Sequence, residues 1–480
     1  MSSVADARSA AMTRVWEPAH EVPQEVTLRV SGAIPAELRG TLYRNGPARW
    51  ESGGFRAGHP FDGDGLVSKF VIDDGAVRFR SRYVRTPKYL AEQRGRGARV
   101  RGLYNQSSGA FANIGRMPAD SANTHAVPHA QRLLALSDVG RPWELDLDDL
   151  STVGPCDFEG RLPRLTRFSP HPKIDPVTGE LFNFGLDLAL GHKVPAGLRC
   201  YRVDSTGRLH DAGLVGLEDV VIQHDFAITE RYLVFALAPI TVDPVPAALA
   251  MLGRGTVGDA ADYRPERGMR IVLVPRDGGK QRVIECDPFV YIHVDNAYDD
   301  GDDVVLDVVR YDSFDFLTTA LKDFRDSLPA LGRPARVRIT KSGRVNREDI
   351  GELDALEFPM HDERRTGRAH RYSYFAAHHP DRDGAIVKYD HHTGAERRHI
   401  FTDGEFAGEP VFVPRTAKAD EDEGWILTVA YNSGEHRNSL IILDATDIEA
   451  PPVAVAQLDG HFFPGFHGSF TTRVSPAATA

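Results

Sequence analysis

Four histidines recur in short, partly apolar contexts: His171 in S-P-H-P-K-I-D, His224 in I-Q-H-D-F, His293 in Y-I-H-V-D-N and His467 in P-G-F-H-G-S-F. Neutral imidazole is the commonest side-chain metal ligand and suits iron, copper, zinc and nickel. Four neutral nitrogens would leave a divalent iron its full charge and open positions for dioxygen, which describes a redox site rather than a structural one. A lone histidine beside proline or glycine, in a chain with 19 of them, more often packs or makes a hydrogen bond. The weight comes from the four together and from the acids that accompany them.

A ligating imidazole needs its second ring nitrogen held. A carboxylate does this while fixing the tautomer and raising ligand basicity. Three acids stand in apolar, strand-like contexts: Glu357 in A-L-E-F-P-M, Glu409 in A-G-E-P-V-F-V-P-R, and Asp138 at the end of L-L-A-L-S-D-V-G. An unpaired buried carboxylate is costly or takes up a proton, and imidazoles around a dication would relieve it. The plainer reading of each acid is a turn or strand-end residue bonded to backbone N–H groups.

Short strands must bring these distant residues to one point. R-L-L-A-L-S-D-V, M-R-I-V-L-V-P, D-D-V-V-L-D-V-V-R-Y, W-I-L-T-V-A-Y and S-L-I-I-L-D read as strands, and D-D-G, R-D-G-G, D-R-D-G and H-H-T-G supply hairpin turns. Such runs recur from about residue 26 to residue 472 without alternating helices, which disfavours a parallel α/β sheet. Radial repetition of small antiparallel sheets closes such a chain without long exposed edges, so the pattern predicts an all-β propeller, although no WD or kelch repeat is present. Residues 245–253 read as a short apolar helix, and residues 314–331 place Leu317, Ala320, Leu321, Phe324 and Leu328 on one helical face. These two segments either cap the core or roof a pocket. Residues 15–474 are expected to form one domain, with a flexible start over 1–14 and a frayed end over 475–480.

The charge balance is acidic, 68 Asp+Glu against 57 Lys+Arg, and no basic stripe is present, which argues against nucleic-acid binding. Cys156, Cys200 and Cys286 are widely spaced and odd in number, so they offer no disulfide framework and suggest a reducing compartment. The first residues lack an apolar signal core, and no apolar run approaches the ~20 residues of a membrane helix. The expectation is a cytoplasmic protein with no obligate protein partner, peripheral membrane contact being left open.

The chain also resembles a known family. In order, the matching segments are G-T-L-Y-R-N-G-P (40–47), H-P-F-D-G-D-G-L (59–66), S-A-N-T (121–124), L-L-A-L-S-D-V-G-R-P, F-S-P-H-P-K-I-D-P-V-T-G-E, I-Q-H-D-F-A-I-T, P-E-R-G, V-Y-I-H-V-D-N-A-Y, E-F-P-M, G-E-P-V-F-V-P-R and F-P-G-F-H-G-S-F. They resemble the carotenoid cleavage oxygenases, which include apocarotenoid and lignostilbene dioxygenases. Each motif is weak alone; the ordered set is specific and spans nearly the whole chain.

The resemblance implies a seven-bladed β-propeller with a helical and loop dome over one face, the dome including segments near 245–266 and 314–332. It implies one non-haem Fe(II) per chain on the propeller axis, held by His171, His224, His293 and His467. Glu357 would stand behind His293, Glu409 behind His467 and Asp138 behind His224. The implied reaction is O2-dependent scission of one C=C bond of a hydrophobic small molecule, a carotenoid or apocarotenoid, into two carbonyl products. Thr124 matches a threonine whose methyl group crowds the coordination position that O2 does not use, and Tyr104 falls near a tyrosine that contacts phenols.

Two departures from the family pattern carry weight. Asp138 stands where the family usually has Glu. Being one methylene shorter, it would grip His224 through a longer or water-bridged contact. Members that cleave hydroxystilbenes or phenylpropenoids carry Lys just before that acid, and here the residue is Ser137. The missing lysine favours a carotenoid or apocarotenoid over the alternative, a phenolic stilbene or vinylphenol.

Overall fold

The computed structural model describes residues 14–477 except 53, 96–99, 107–113, 115, 189–195, 315–331, 379–383 and 403. Seven antiparallel sheets form the blades of a β-propeller, five of them four-stranded meanders. Val, Ile and Leu fill the middle strands. Gly424–Asn432 is buried along all but its last residue, as a strand covered on both faces must be. Charged and exposed outer strands such as Val345–Asp349 and Glu396–Ile400 keep the rim from pairing with other chains. The core lies between blades. Leu306, Val308 and Val337 of the fifth sheet, for example, pack in one cluster with Leu356, Phe375 and Val387 of the sixth.

The ring is closed twice. Gly40–Arg49 pairs with the last strand, His467–Thr471, and Arg29–Gly32 pairs with Ala454–Gln457. The innermost strands are His125–His129, Lys173–Ile174, Ala227–Ile228, Val290–Asp300, Leu356–His361, Val411–Pro414 and His467–Thr471. They carry the site.

The helix expected near 245–253 is present as Pro244–Met251, capped by Asp243, whose side chain accepts from the Val245 N–H. The helix expected over 314–331 falls almost wholly outside the described residues, as does the chain start. A further helix, Pro87–Gln93, is announced by Thr86 as cap and proline at its first position. Within the end expected to fray from residue 475, Ser475 is fully buried and its hydroxyl donates to the Leu147 carbonyl, while residues 478–480 lie outside the described residues.

Candidate metal centre

His467 opens its inner strand, His171 and His224 stand just before Lys173–Ile174 and Ala227–Ile228, and His293 lies within Val290–Asp300. The ladder shifts register between Tyr291 and Val294, and in the next blade between Glu357 and Met360. Bulges re-aim side chains beside active sites, and these two lie where His293 and Glu357 meet. Phe358, in the second bulge, holds φ at 54°, a left-handed conformation that is strained for an aromatic residue. Its ring lies 5.6 Å from both the His293 and the His467 rings.

The four imidazoles converge. One nitrogen from each lies within 4.8 Å of the others, and the His171 ring is 4.4, 5.1 and 4.5 Å from those of His224, His293 and His467. Three rings are held from behind. His224 Nδ1 donates to Asp138 Oδ1 at 2.6 Å, His293 Nδ1 to Glu357 Oε2 at 2.5 Å, and His467 Nδ1 to Glu409 Oε1 at 2.7 Å. A carboxylate only accepts, so Nδ1 carries the proton and Nε2 keeps its lone pair. The structure thus brings each acid against the histidine with which it was paired. The longer or bridged contact expected of Asp138 is corrected: the shorter side chain reaches His224 directly.

Among the described residues no carboxylate supports His171 in this way. Its Nδ1 is 3.9 Å from Asp225 Oδ2, beyond hydrogen-bond range. Asp225 is engaged by Lys173 Nζ at 2.9 Å and by the N–H groups of Phe226 and Val294.

The donor set fits a metal ion. His171 Nε2 and His224 Nε2 face each other at 2.8 Å, and His293 Nε2 is buried with no hydrogen-bond partner among the described residues. Facing nitrogens and an orphaned one are unfavourable unless a cation lies among them. The 2.8 Å separation suits adjacent ligands each about 2.0–2.1 Å from one ion. Burial first, then the neighbouring imidazoles, push His171 and His467 well below the usual histidine range, so both stay neutral. At His224 burial opposes protonation, but Asp138 outweighs it and the net shift is upward. A metal would compete with that proton.

Several supporting residues carried no clear signal in the sequence. Glu409 Oε2 accepts from Arg44 Nη1 and from the Gly468 N–H, each at 2.8 Å. The Tyr311 hydroxyl donates to Glu357. His125 bonds the Pro170 carbonyl at 2.8 Å and the Ser469 hydroxyl at 3.0 Å. Arg44 could have been noticed as a charge inside the apolar strand G-T-L-Y-R-N, and Asp225 as the acid directly after His224.

An apolar cavity of about 290 Å³ adjoins the cluster, with His224, His293 and His467 in its wall beside Phe61, Leu186, Ile240, Ile292, Phe463 and Phe466. Thr124 and Tyr104 also line it. The Thr124 hydroxyl donates to Asn123 Oδ1 at 3.3 Å. Tyr104 stacks on His59 at 3.9 Å. Its loop is anchored by Asp62, which accepts from the N–H groups of Leu103 and Tyr104 and from Asn105 Nδ2. Ser137 is turned toward Asp120 Oδ1, to which its hydroxyl donates at 2.6 Å. A second, more polar cavity of about 330 Å³ reaches His171, His293 and His467 past Lys173, Asp295, His361 and Glu363.

Comparison with known proteins agrees with this geometry. The family model described as retinal pigment epithelial membrane protein matches residues 16–472. The apocarotenoid-15,15'-oxygenase of Synechocystis sp. is 34% identical over 92% of this chain and 92% of its own. The isoeugenol monooxygenase of Pseudomonas nitroreducens is 30% identical over 93% of this chain and 94% of its own. The crystal structure of cobalt-substituted Synechocystis ACO has a TM-score of 0.87 at 33% identity, covering 96% of this chain and 98% of that one. With sequence, blades and histidine cluster in agreement, the chain belongs to the retinal pigment epithelial membrane protein family, that of the carotenoid cleavage oxygenases.

Proposed function

We propose that the protein is a non-haem Fe(II) dioxygenase that cleaves one C=C bond of an apocarotenoid-like polyene into two carbonyl products. The observation that carries this reading is the meeting of a four-imidazole cluster with an apolar cavity, His224, His293 and His467 belonging to both. Iron suits imidazole donors and, when bound, would supply the dioxygen chemistry.

The chain's own residues do the rest. Asp138, Glu357 and Glu409 fix three rings in the tautomer that leaves Nε2 free. Apolar side chains hold the polyene by burial and keep water out. Thr124, its hydroxyl engaged by Asn123, would crowd the approach to a bound iron from the cavity wall, and Tyr104 is assigned a contact with the substrate. A polyene is drawn from lipid. Val245, Leu249 and Leu252 are exposed in and just after Pro244–Met251, and Val242 and Val257 nearby line the cavity. We assign this face a peripheral membrane contact of a cytoplasmic protein. No helix among the described residues is long and apolar enough to cross a membrane.

A second reading, cleavage of a phenolic stilbene or vinylphenol, is supported by Tyr104 in the cavity wall and by the likeness to an isoeugenol monooxygenase. The higher identity to the apocarotenoid oxygenase and the absence of a lysine at Ser137 favour the polyene. Mass spectra of products formed under 18O2 from an apocarotenal and a hydroxystilbene decide between them. Two carbonyl fragments from the apocarotenal are expected. Cleavage of the stilbene alone would move the assignment to the second reading, and cleavage of neither would end both.

A further inference from the structure

Among its described residues the apolar cavity carries three charged side chains besides histidine: Asp138, Glu357 and Arg167. The two acids are bonded to His224 and His293. Among the described residues the Arg167 guanidinium makes no hydrogen bond, ion pair or ring contact. It is half-buried, and that burial lowers its pKa, as for a charge whose lost hydration is not compensated. Asp120 attracts it electrostatically but is already saturated. Its Oδ1 accepts from Ser137 Oγ at 2.6 Å and the Ala122 N–H at 2.9 Å, and its Oδ2 from the Arg141 N–H and Trp143 Nε1, each at 3.0 Å. The backbone at Arg167 is fixed: its N–H donates to the Leu186 carbonyl at 3.2 Å. Its own carbonyl sits where a Cβ on Gly185 would come within 1.6 Å. A fixed backbone position therefore carries a cation with no protein partner among the described residues, in a cavity wall that is mostly apolar.

We propose that Arg167 anchors an anionic oxygen, a carboxylate or a phenolate, at one end of the conjugated alkene. A guanidinium offers a planar fork of donors and stays charged. In an apolar cavity it ranks ligands by their ends: an anionic end gains charge-assisted hydrogen bonds, and a hydrocarbon or ester end leaves the cation unsatisfied. This inference rests on the alkene-cleavage reading and names the end group of its substrate.

The test uses the iron-loaded enzyme, Arg167→Gln and Arg167→Lys. The ligands are two matched pairs: an apocarotenoic acid with its methyl ester, and a hydroxystilbene, in alkaline buffer, with its methyl ether. Steady-state kcat and KM are measured, together with binding by quenching of tryptophan fluorescence, since Trp16 lies in the same wall. The wild type should prefer the charged member of one pair. Arg167→Gln should weaken KM or Kd for that member roughly 10- to 100-fold with kcat little changed, the worth of a charge-assisted hydrogen bond. The neutral member should be unaffected, and Arg167→Lys should recover part of the loss. The pair that responds identifies the carboxylate or the phenolate. Equal effects on charged and neutral members, or no effect on any, overturn the proposal. Absence of cleavage for all four would overturn the dioxygenase reading, while the quenching titrations still decide the role of Arg167.

Discussion

Asp138 is the most exposed of the three acids behind the clustered histidines, its side chain 34% accessible against 10% for Glu357 and 6% for Glu409. Its bond to His224 is direct nonetheless. Asp138→Ala should weaken metal binding or turnover by about 10- to 100-fold, the usual effect of losing a carboxylate behind a ligating histidine. Cobalt titration followed by its visible absorption reads the affinity without relying on catalysis, and an unchanged affinity would remove Asp138 from that role. At Gly185 the constraint is steric: a Cβ would meet the Arg167 carbonyl at 1.6 Å. Gly185→Ala should therefore destabilise by about 2–4 kcal/mol, measured by denaturant unfolding. The four histidines and three acids could be read in the sequence because each residue type carries its chemistry in a distinctive context. Arg44 and Tyr311 could not be assigned roles, because their partners, Glu409 and Glu357, come from other blades. Ser137 was legible as a missing cation, but its bond to Asp120 and the nearby Arg167 required the fold.

At the scale of elements, long apolar strands such as Gly424–Asn432 announce themselves by composition. Inner strands of two residues, Lys173–Ile174 and Ala227–Ile228, are too short for periodicity to register. The bulge at His293 likewise has no turn residue to mark it, whereas Pro359 lies inside the one after Glu357. The fifth and sixth blades are also tied by a buried polar cluster. Arg336 binds Asp307 at 2.8 and 2.7 Å and donates to His391 Nδ1 at 3.1 Å, while Ser373 meets His391 Nε2 at 2.7 Å. Asp295 faces His361 at 3.2 Å and His370 at 3.3 Å. Burial lowers His391 from 6.5 to about 4. The unfolded chain takes up this proton near 6.5 and the folded chain only near 4, so the stabilisation from neutral His391 is present above pH 6.5 and lost as pH falls toward 4. The loss should be of the order of 3 kcal/mol. His391→Asn should flatten the rise in denaturant midpoint across that interval, and an unchanged slope would assign the acid sensitivity elsewhere.

For the whole molecule, the ring makes the centre. His171, His224, His293 and His467 come from four blades and meet because strands from the two chain ends complete each other's sheets. The propeller and its axial cluster could be expected from the resemblance. The shape and end-group chemistry of the cavity could not, because they depend on loops packed over one face. The exposed apolar face at Leu249 and Leu252 belongs to this scale as well. The double variant Leu249→Asp/Leu252→Asp should sediment less with phospholipid vesicles while turnover of detergent-presented substrate persists. Equal vesicle binding would remove that face from membrane contact. The most direct test of the metal centre is the iron content of wild type and His293→Ala, both produced with iron and measured by plasma mass spectrometry beside near-UV circular dichroism. A single iron per wild-type chain, and none in a variant with an unaltered spectrum, is the predicted result. A variant that keeps its iron and consumes O2 with substrate at the wild-type rate would contradict the four-histidine centre.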